Sequence, residues 1–266
     1  MKQAKAMTCD SQLRWTSAAL TDVGLVRSRN EDSYLAQPAR GVWAVADGMG
    51  GHAFGDVASR MVVEAIESME SIKWPGAPDP MATLVAAART RITMVNQQLR
   101  DEAQARRVTV MGSTAVVLLA CGAQLACLWA GDSRLYLYRN ARLQQLTRDH
   151  SQAEELRARG AAPGLEASAA IANMITRAVG AADTIDIDLA TLDAVDGDML
   201  LLCSDGLSNP VDEHAIAQAL ALGDCTQAAQ VLLALALANG GRDNITVVVV
   251  RADDSGSDRT MVNPAL

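Results

Sequence analysis

The chain has 266 residues, half of them hydrophobic and a fifth charged, the balance of a polypeptide that buries a core rather than one that stays disordered. Lys and Arg number 23 against 31 Asp and Glu, a net charge of −8, which argues against nucleic acid as a partner because a phosphate backbone calls for a basic face. No run of 18 apolar residues is present, so no membrane span is expected.

In chain order, the opening residues 1–14 lack an apolar signal core and read as a flexible tail. Val42 to Asp47 reads as a strand. Between Asp56 and Glu70, Val57, Met61, Ala65 and Met69 recur every four residues with Val62 and Ile66 alongside, and Pro80 to Glu102 carries the same stripe, so two amphipathic helices are predicted. Ser113 to Ala120, Leu125 to Ala130 and Arg134 to Tyr138 are short apolar runs broken by Cys121-Gly122 and Gly131-Asp132, the pattern of an antiparallel meander. Ser151-Gln152-Ala153-Glu154 has the form of a capping box and predicts a short helix. Gly160 to Asn173, rich in Ala and weakly patterned, reads as a mobile surface segment. Met199 to Cys203 and Ile245 to Val250 are wholly apolar and suit strands buried on both faces. Asp212 to Leu222 and Thr226 to Ala238 are predicted helices, and residues 253–266 a loose tail. Strands and helices do not alternate strictly, which favours stacked β-sheets with helices outside over a doubly wound sheet. The five cysteines, Cys9, Cys121, Cys127, Cys203 and Cys225, form no C-x-x-C pair. That points away from a zinc knuckle or a disulfide framework and toward the cytoplasm.

The chemically informative pattern is an Asp at a strand end, repeated. Asp47-Gly48 closes one apolar run, Asp205-Gly206 another, Asp243-Asn244 opens a third, and Asp132 sits in a turn. Each alone is an ordinary turn signal. Together, carboxylates held on rigid backbone would repel unless a cation sat among them. Oxygen ligation without a Cys or His cluster suits Mg²⁺ or Mn²⁺. Two such ions can activate a shared water for attack on phosphorus, and an Arg fork suits the phosphate oxygens.

Five segments, taken in order, carry a family resemblance: Val26-Arg27-Ser28-Arg29-Asn30-Glu31-Asp32, Asp47-Gly48-Met49-Gly50-Gly51-His52, Gly131-Asp132-Ser133-Arg134, Ser204-Asp205-Gly206-Leu207 and Gly241-Arg242-Asp243-Asn244-Ile245-Thr246. They resemble the motifs of the PP2C (PPM) family of metal-dependent serine/threonine protein phosphatases, bacterial single-domain type. The resemblance implies an α+β fold: a central antiparallel β-sandwich flanked by helix pairs on both faces, over residues 15–252, with a flap at about 150–175. It implies two Mn²⁺ or Mg²⁺ ions, with the third, weaker ion that bacterial members often bind. Asp47 would bridge the two, the Gly48 carbonyl and Glu31 (through water) would serve the second, and Asp205 and Asp243 the first. Asp132 with Asp205 would serve a third ion, Asp32 and Asn244 would support these ligands, and Arg27 would bind substrate phosphate. Where eukaryotic members carry a His acid, this chain has Met49; His52 or water is the candidate proton donor. Ala169 to Met174 is apolar where relatives often have a basic stretch. The expected partners are phosphorylated proteins and a cognate Ser/Thr kinase, sometimes one governing a secretion apparatus, with the phosphatase a monomer. The alternative is a non-catalytic phosphoprotein-binding regulator of the same fold, whose signature would be missing ligands.

Other chemistries fit less well. Gly48-x-Gly50-x-x-Ala53 resembles a dinucleotide fingerprint, but Asp47 would repel a pyrophosphate. A serine hydrolase needs a base for Ser133, and only His52, His150 and His214 are available; His150 reads better as the entrance to the Ser151 cap. No Cys stands six residues before an Arg, and the only lysines, Lys2, Lys5 and Lys73, do not follow a glycine loop. Arg29, Arg148 and Arg177 read as surface or salt-bridged, and Met61, Met111, Trp43 and Trp129 as core.

Overall fold

The computed structural model describes residues 13–49, 54–69, 79–160 and 174–254. One sheet holds β1 (Leu13–Asp22), β11 (Ile245–Asp254), β10 (Met199–Cys203), β7 (Arg134–Arg139) and β8 (Arg142–Gln145), in that order. The other runs β2 (Asp32–Gln37), β3 (Val42–Met49), β5 (Ala115–Cys121), β6 (Gln124–Ala130) and β9 (Asp188–Asp193), with β4 (Gly112–Ser113) added to β3. Every pairing is antiparallel.

Strand alternation sends side chains into three separate cores. Trp43 and Val45, Val116 and Leu118, Leu200 and Leu202, and Val248 and Val250 meet between the two sheets. Val42, Ala44, Val117 and Leu119 face the other way, onto α1 (Gly55–Glu67) and α2 (Pro80–Arg106). Met199, Leu201, Val247 and Val249 pack beneath α4 (Asp205–Ser208), α5 (Glu213–Leu220) and α6 (Cys225–Ala238). β5 and β10 are apolar at every position, as is the Val247–Val250 stretch of β11, because they are covered on both faces. The result is the four-layer arrangement of helices, sheet, sheet, helices that the sequence predicted.

Three expectations are corrected. Only the first half of the meander forms: β6 pairs antiparallel with β5 as expected and then with β9, whereas β7 pairs with β10 and β8 in the opposite sheet. The chain crosses between sheets at Gly131-Asp132-Ser133, where Gly131 adopts φ +114°, a conformation that L residues rarely adopt. Adjacent apolar runs look alike whether they pair with one another or lie in facing sheets, so the sequence could not separate the two. The sandwich also extends past both expected tail boundaries. β1 begins at Leu13, paired with Asp254, and the ladder runs to Asp22 opposite Ile245. Cys121 is disulfide-bonded, against the expectation from spacing, which reports only close pairs; Cys127, Cys203 and Cys225 are free and buried.

The helices follow their predicted stripes. Asp79, Asp212 and Asp224 cap α2, α5 and α6 by accepting from the backbone N–H three residues on. Ser151 caps α3 (Gln152–Ala158) through the N–H of Glu154. The Glu154 carboxylate pairs with Arg148 and Arg157. Gly160 is the last described residue of its segment, so most of the predicted mobile stretch lies outside the described residues. Among those described, no helix is long and apolar enough to cross a membrane.

Trp43 is fully buried between the sheets and meets Trp15 edge-on at 5.7 Å. Trp43→Ala should cost about 3–5 kcal/mol, seen as a lower urea midpoint with an unchanged slope. Trp43→Phe, which keeps most of the apolar contact and removes an indole N–H that has no partner, should cost far less.

Candidate active site

The described residues of the five motif segments meet at one end of the sandwich. Asp32 and Asp47 face each other across the β2–β3 pair. Asp205 opens α4 directly after β10, Asp243 precedes β11, and Asp132 sits in the crossing between β6 and β7. Both sheets therefore contribute acids to the same place.

Backbone and hydroxyl groups fix each acid. The Asp32 carboxylate accepts from Ser204 Oγ and Thr246 Oγ1, both at 2.7 Å, so an acid of one sheet is tied to hydroxyls of the other. Thr246 Oγ1 lies 2.8 Å from Thr21 Oγ1. The Asp47 N–H donates to Thr114 Oγ1 at 2.9 Å, and the Thr114 N–H returns a bond to the Asp47 carbonyl at 2.8 Å. Thr114 Oγ1 lies 2.7 Å from Ser133 Oγ, which joins the Asp47 strand to the Asp132 turn. Ser133 is buried. Asn244 accepts from the Glu31 N–H at 2.7 Å and donates to the carbonyls of Val23 and Arg29 at 2.9 and 2.8 Å. It thereby holds the whole loop that carries Arg27 and Glu31.

These acids are expensive to bury side by side. Burial, then its acidic neighbours Asp32, Asp205, Asp132 and Asp243, holds the Asp47 carboxyl well above the usual range. Burial and neighbouring Asp205 push Asp132 up to about 7. Burial likewise raises Asp32 to about 7, against the pull of Thr246 and Ser204. Asp205 is raised by burial and by Asp243, and is relieved by a hydrogen bond with Asp47. Burial and Asp56 raise Glu31.

A cation fits this chemistry. Oδ1 of Asp32, of Asp132 and of Asp205 is buried with no hydrogen-bond partner, a costly condition for neutral-site packing. At Gly55 a side chain would sit 2.7 Å from Glu31 Oε2 and 2.8 Å from the Gly48 carbonyl oxygen. Its absence leaves a cradle in which that carboxylate and that carbonyl face a common space. The donors are all oxygen, as Mg²⁺ and Mn²⁺ prefer. Among the described residues, no three His, Cys, Asp or Glu side chains already form a finished metal cage. Asp32 is held by hydroxyls, Asp243 by the Arg27 guanidinium and Asp205 by the Asn209 amide.

Arg27 sits at the open rim. Its Nε and Nη2 donate to the two oxygens of Asp243 at 2.8 and 2.7 Å. The fork that the resemblance assigned to phosphate is thus beside the acids, and here it grips one of them. Leu25 and Val26 next to it are exposed. His52, the candidate acid, lies outside the described residues. Arg148 and Arg177 are salt-bridged, to Glu154 and Asp188, as expected. Sequence reasoning missed Thr114, Ser204 and Thr246. Ser204 and Thr246 stand within the motif segments, next to Asp205 and three residues after Asp243, whereas Thr114 has no acid near it in sequence to signal it.

Converging carboxylates at the mouth of an αββα sandwich, beside an arginine fork, define the class of metal-dependent hydrolases that act on phosphate esters. A model of the protein phosphatase 2C family matches residues 26–232, and the chain belongs to that family. It is 40% identical over 238 residues to the serine/threonine protein phosphatase PstP of Mycobacterium tuberculosis, covering 89% of this chain and 45% of PstP, so it spans less than half of that relative. It is 35% identical to the serine/threonine phosphatase Stp of Listeria monocytogenes, over 88% of this chain and 94% of Stp. Among solved structures, PppA of Pseudomonas aeruginosa, described as a key regulatory component of T6SS, superposes with a TM-score of 0.81 at 42% identity, covering 90% and 97% of the two chains. The PstP catalytic domain in complex with two manganese ions superposes at 0.79 and 38% identity, covering 91% of this chain and 100% of that one.

The raised carboxyls make a pH prediction for the metal-free protein. A group protonated more readily when folded stabilises the fold below its unfolded pKa of about 4, and that contribution is lost as pH rises through the folded value near 7. In EDTA, the melting temperature should fall between pH 5 and pH 8. Asp32→Asn should shrink that fall, and saturating Mn²⁺ should reverse it.

Proposed function

We infer that this chain is a metal-dependent protein phosphatase that removes phosphate from phosphoserine and phosphothreonine. The observation that carries the reading is the set of buried, partnerless carboxylate oxygens on Asp32, Asp132 and Asp205 beside the Arg27 fork. When bound, two Mn²⁺ or Mg²⁺ ions supply a water acidic enough to attack phosphorus near neutral pH, together with counter-charge for the phosphate oxygens.

The chain's own residues do the rest. Asp47, Asp205, Asp243, the Gly48 carbonyl and Glu31 hold the ions, and Asp132 with Asp205 holds a weaker third. Arg27 exchanges the two oxygens of Asp243 for two phosphate oxygens, which its planar geometry matches equally well. Asn244 keeps the Arg27 loop in register with Asp243. The serines beside the acids are already engaged, Ser204 Oγ donating to Asp32 and Ser133 Oγ bonded to Thr114, which supports direct hydrolysis rather than a phosphoenzyme. His52 is the candidate for protonating the departing Ser or Thr oxygen. A non-catalytic regulator would lack core ligands, and every acid assigned to the ions is present.

The substrates are phosphorylated proteins, and the opposing enzyme a Ser/Thr kinase. The similarity to PppA over nearly its full length supports targets of the kind that regulate a secretion apparatus. A cytoplasmic setting is the one such kinases imply.

Release of phosphate from a phosphothreonine peptide should require Mn²⁺ and stop in EDTA; equal rates in both overturn the reading. Asp47→Asn should abolish turnover and Mn²⁺ binding while leaving the far-UV dichroism intact. Arg27→Lys should lower kcat/KM by roughly 10–100-fold, the worth of a charge-assisted fork.

A further inference from the structure

Behind the Asp132 turn lies a group that the reaction as described does not use. His150 is 7% exposed. Its Nδ1 accepts from the Gly131 N–H at 3.1 Å, and its backbone N–H donates to the Gly131 carbonyl at 2.9 Å. Gly131 is therefore gripped twice by one residue. The Nε2 side meets Asp188 at 3.2 Å, and the other oxygen of Asp188 meets Arg177 at 2.8 Å. The ring stacks against Trp129, the penultimate residue of β6, at an interplanar angle of 9°. Burial holds the imidazole below its ordinary pKa, so Nδ1 keeps its lone pair and Nε2–H points to Asp188.

Gly131 needs this grip. It carries φ +114° at the crossing between sheets, and Asp132, the next residue, has an oxygen with no partner. On the far side, Ser133 is fixed through Thr114 to Asp47. Asp132 thus hangs between two clamps, the Thr114 hydroxyl after it and the His150 imidazole before it. Arg134, two residues on, is locked onto Asp149, the neighbour of His150.

We propose that His150 is a positioning residue for Asp132: by accepting the Gly131 N–H it aims the Asp132 carboxylate into the acid cluster, and Asp188 and Arg177 hold the imidazole in the tautomer that does so. This rests on the reading of Asp132 as ligand of the weaker third ion. Partners of this kind, one bond removed from a ligand, typically change metal affinity 10–100-fold when lost.

The test is a titration of Mn²⁺, with free ion followed by its electron paramagnetic resonance signal, on the wild type and on five variants: His150→Ala, His150→Asn, His150→Gln, Asp132→Asn and the double Asp132→Asn/His150→Ala. Folding is checked by near-UV dichroism. Asn can place its amide oxygen where Nδ1 lies, whereas Gln reaches toward Asp188. His150→Ala should weaken the low-affinity Mn²⁺ site 10–100-fold and leave the tight sites unchanged. His150→Asn should recover most of that affinity and His150→Gln little of it. The double variant should match Asp132→Asn alone, because both act through one carboxylate. Wild-type Mn²⁺ binding in His150→Ala, or losses that add in the double variant, overturn the proposal. If His150→Ala does not fold, the Asn and Gln variants decide it, and equal affinities in the two overturn it. If Asp132→Asn itself binds Mn²⁺ like the wild type, the assignment of Asp132 falls and the positioning role falls with it.

Discussion

The governing constraint is the repulsion among carboxylates that the sandwich buries at one end. Asp47 is surrounded by Asp32, Asp132, Asp205 and Asp243, and each raises its affinity for a proton. Left alone, such a cluster either binds protons or comes apart. The fold resists both by mounting the acids on strands whose cores are already complete. A cation then meets donors that are prepaid in position and short of a partner.

What holds that tension is a set of neutral groups. Hydroxyls of Ser204 and Thr246 cross from one sheet to the Asp32 of the other, and Thr114 ties Asp47 to the Asp132 turn. These contacts set the spacing of the acids, because facing sheets are otherwise free to shift by the freedom of side chains packed about 10 Å apart. The site is therefore as much a property of the interface between sheets as of any one motif. Ion binding and the stability of the sandwich are linked by the same bonds.

Much of this was legible in the sequence. The helices read well because their stripes face a single core, as in α1 and α2. The strands β3, β5, β10 and β11 read well because each contains an unbroken apolar run, Val42–Ala46, Ala115–Cys121, Met199–Cys203 and Val247–Val250. By contrast β1, β2 and β9 escaped notice: their residues, such as Arg14, Thr16 and Ser17 or Asp188 and Thr191, sit at half-covered edges where polar side chains are tolerated. The acids were legible as strand-end signals, and the ordered motifs then gave them roles. The crossing at Gly131 was not, since pairing partners are a long-range matter that a local run of Val and Leu does not encode. Nor was the part played by His150, whose neighbours Gly131, Trp129 and Asp188 lie 19 to 38 residues away in sequence.

The pairing of β1 with β11 has one more consequence. The ladder runs ten residues, from Leu13 opposite Asp254 to Asp22 opposite Ile245, about 30 Å of extended chain at the usual rise. The acid cluster stands at the Asp22 pole, and both strand termini leave from the other. A label attached at Leu13 or Asp254 would therefore sit at the pole of the sandwich away from the acids.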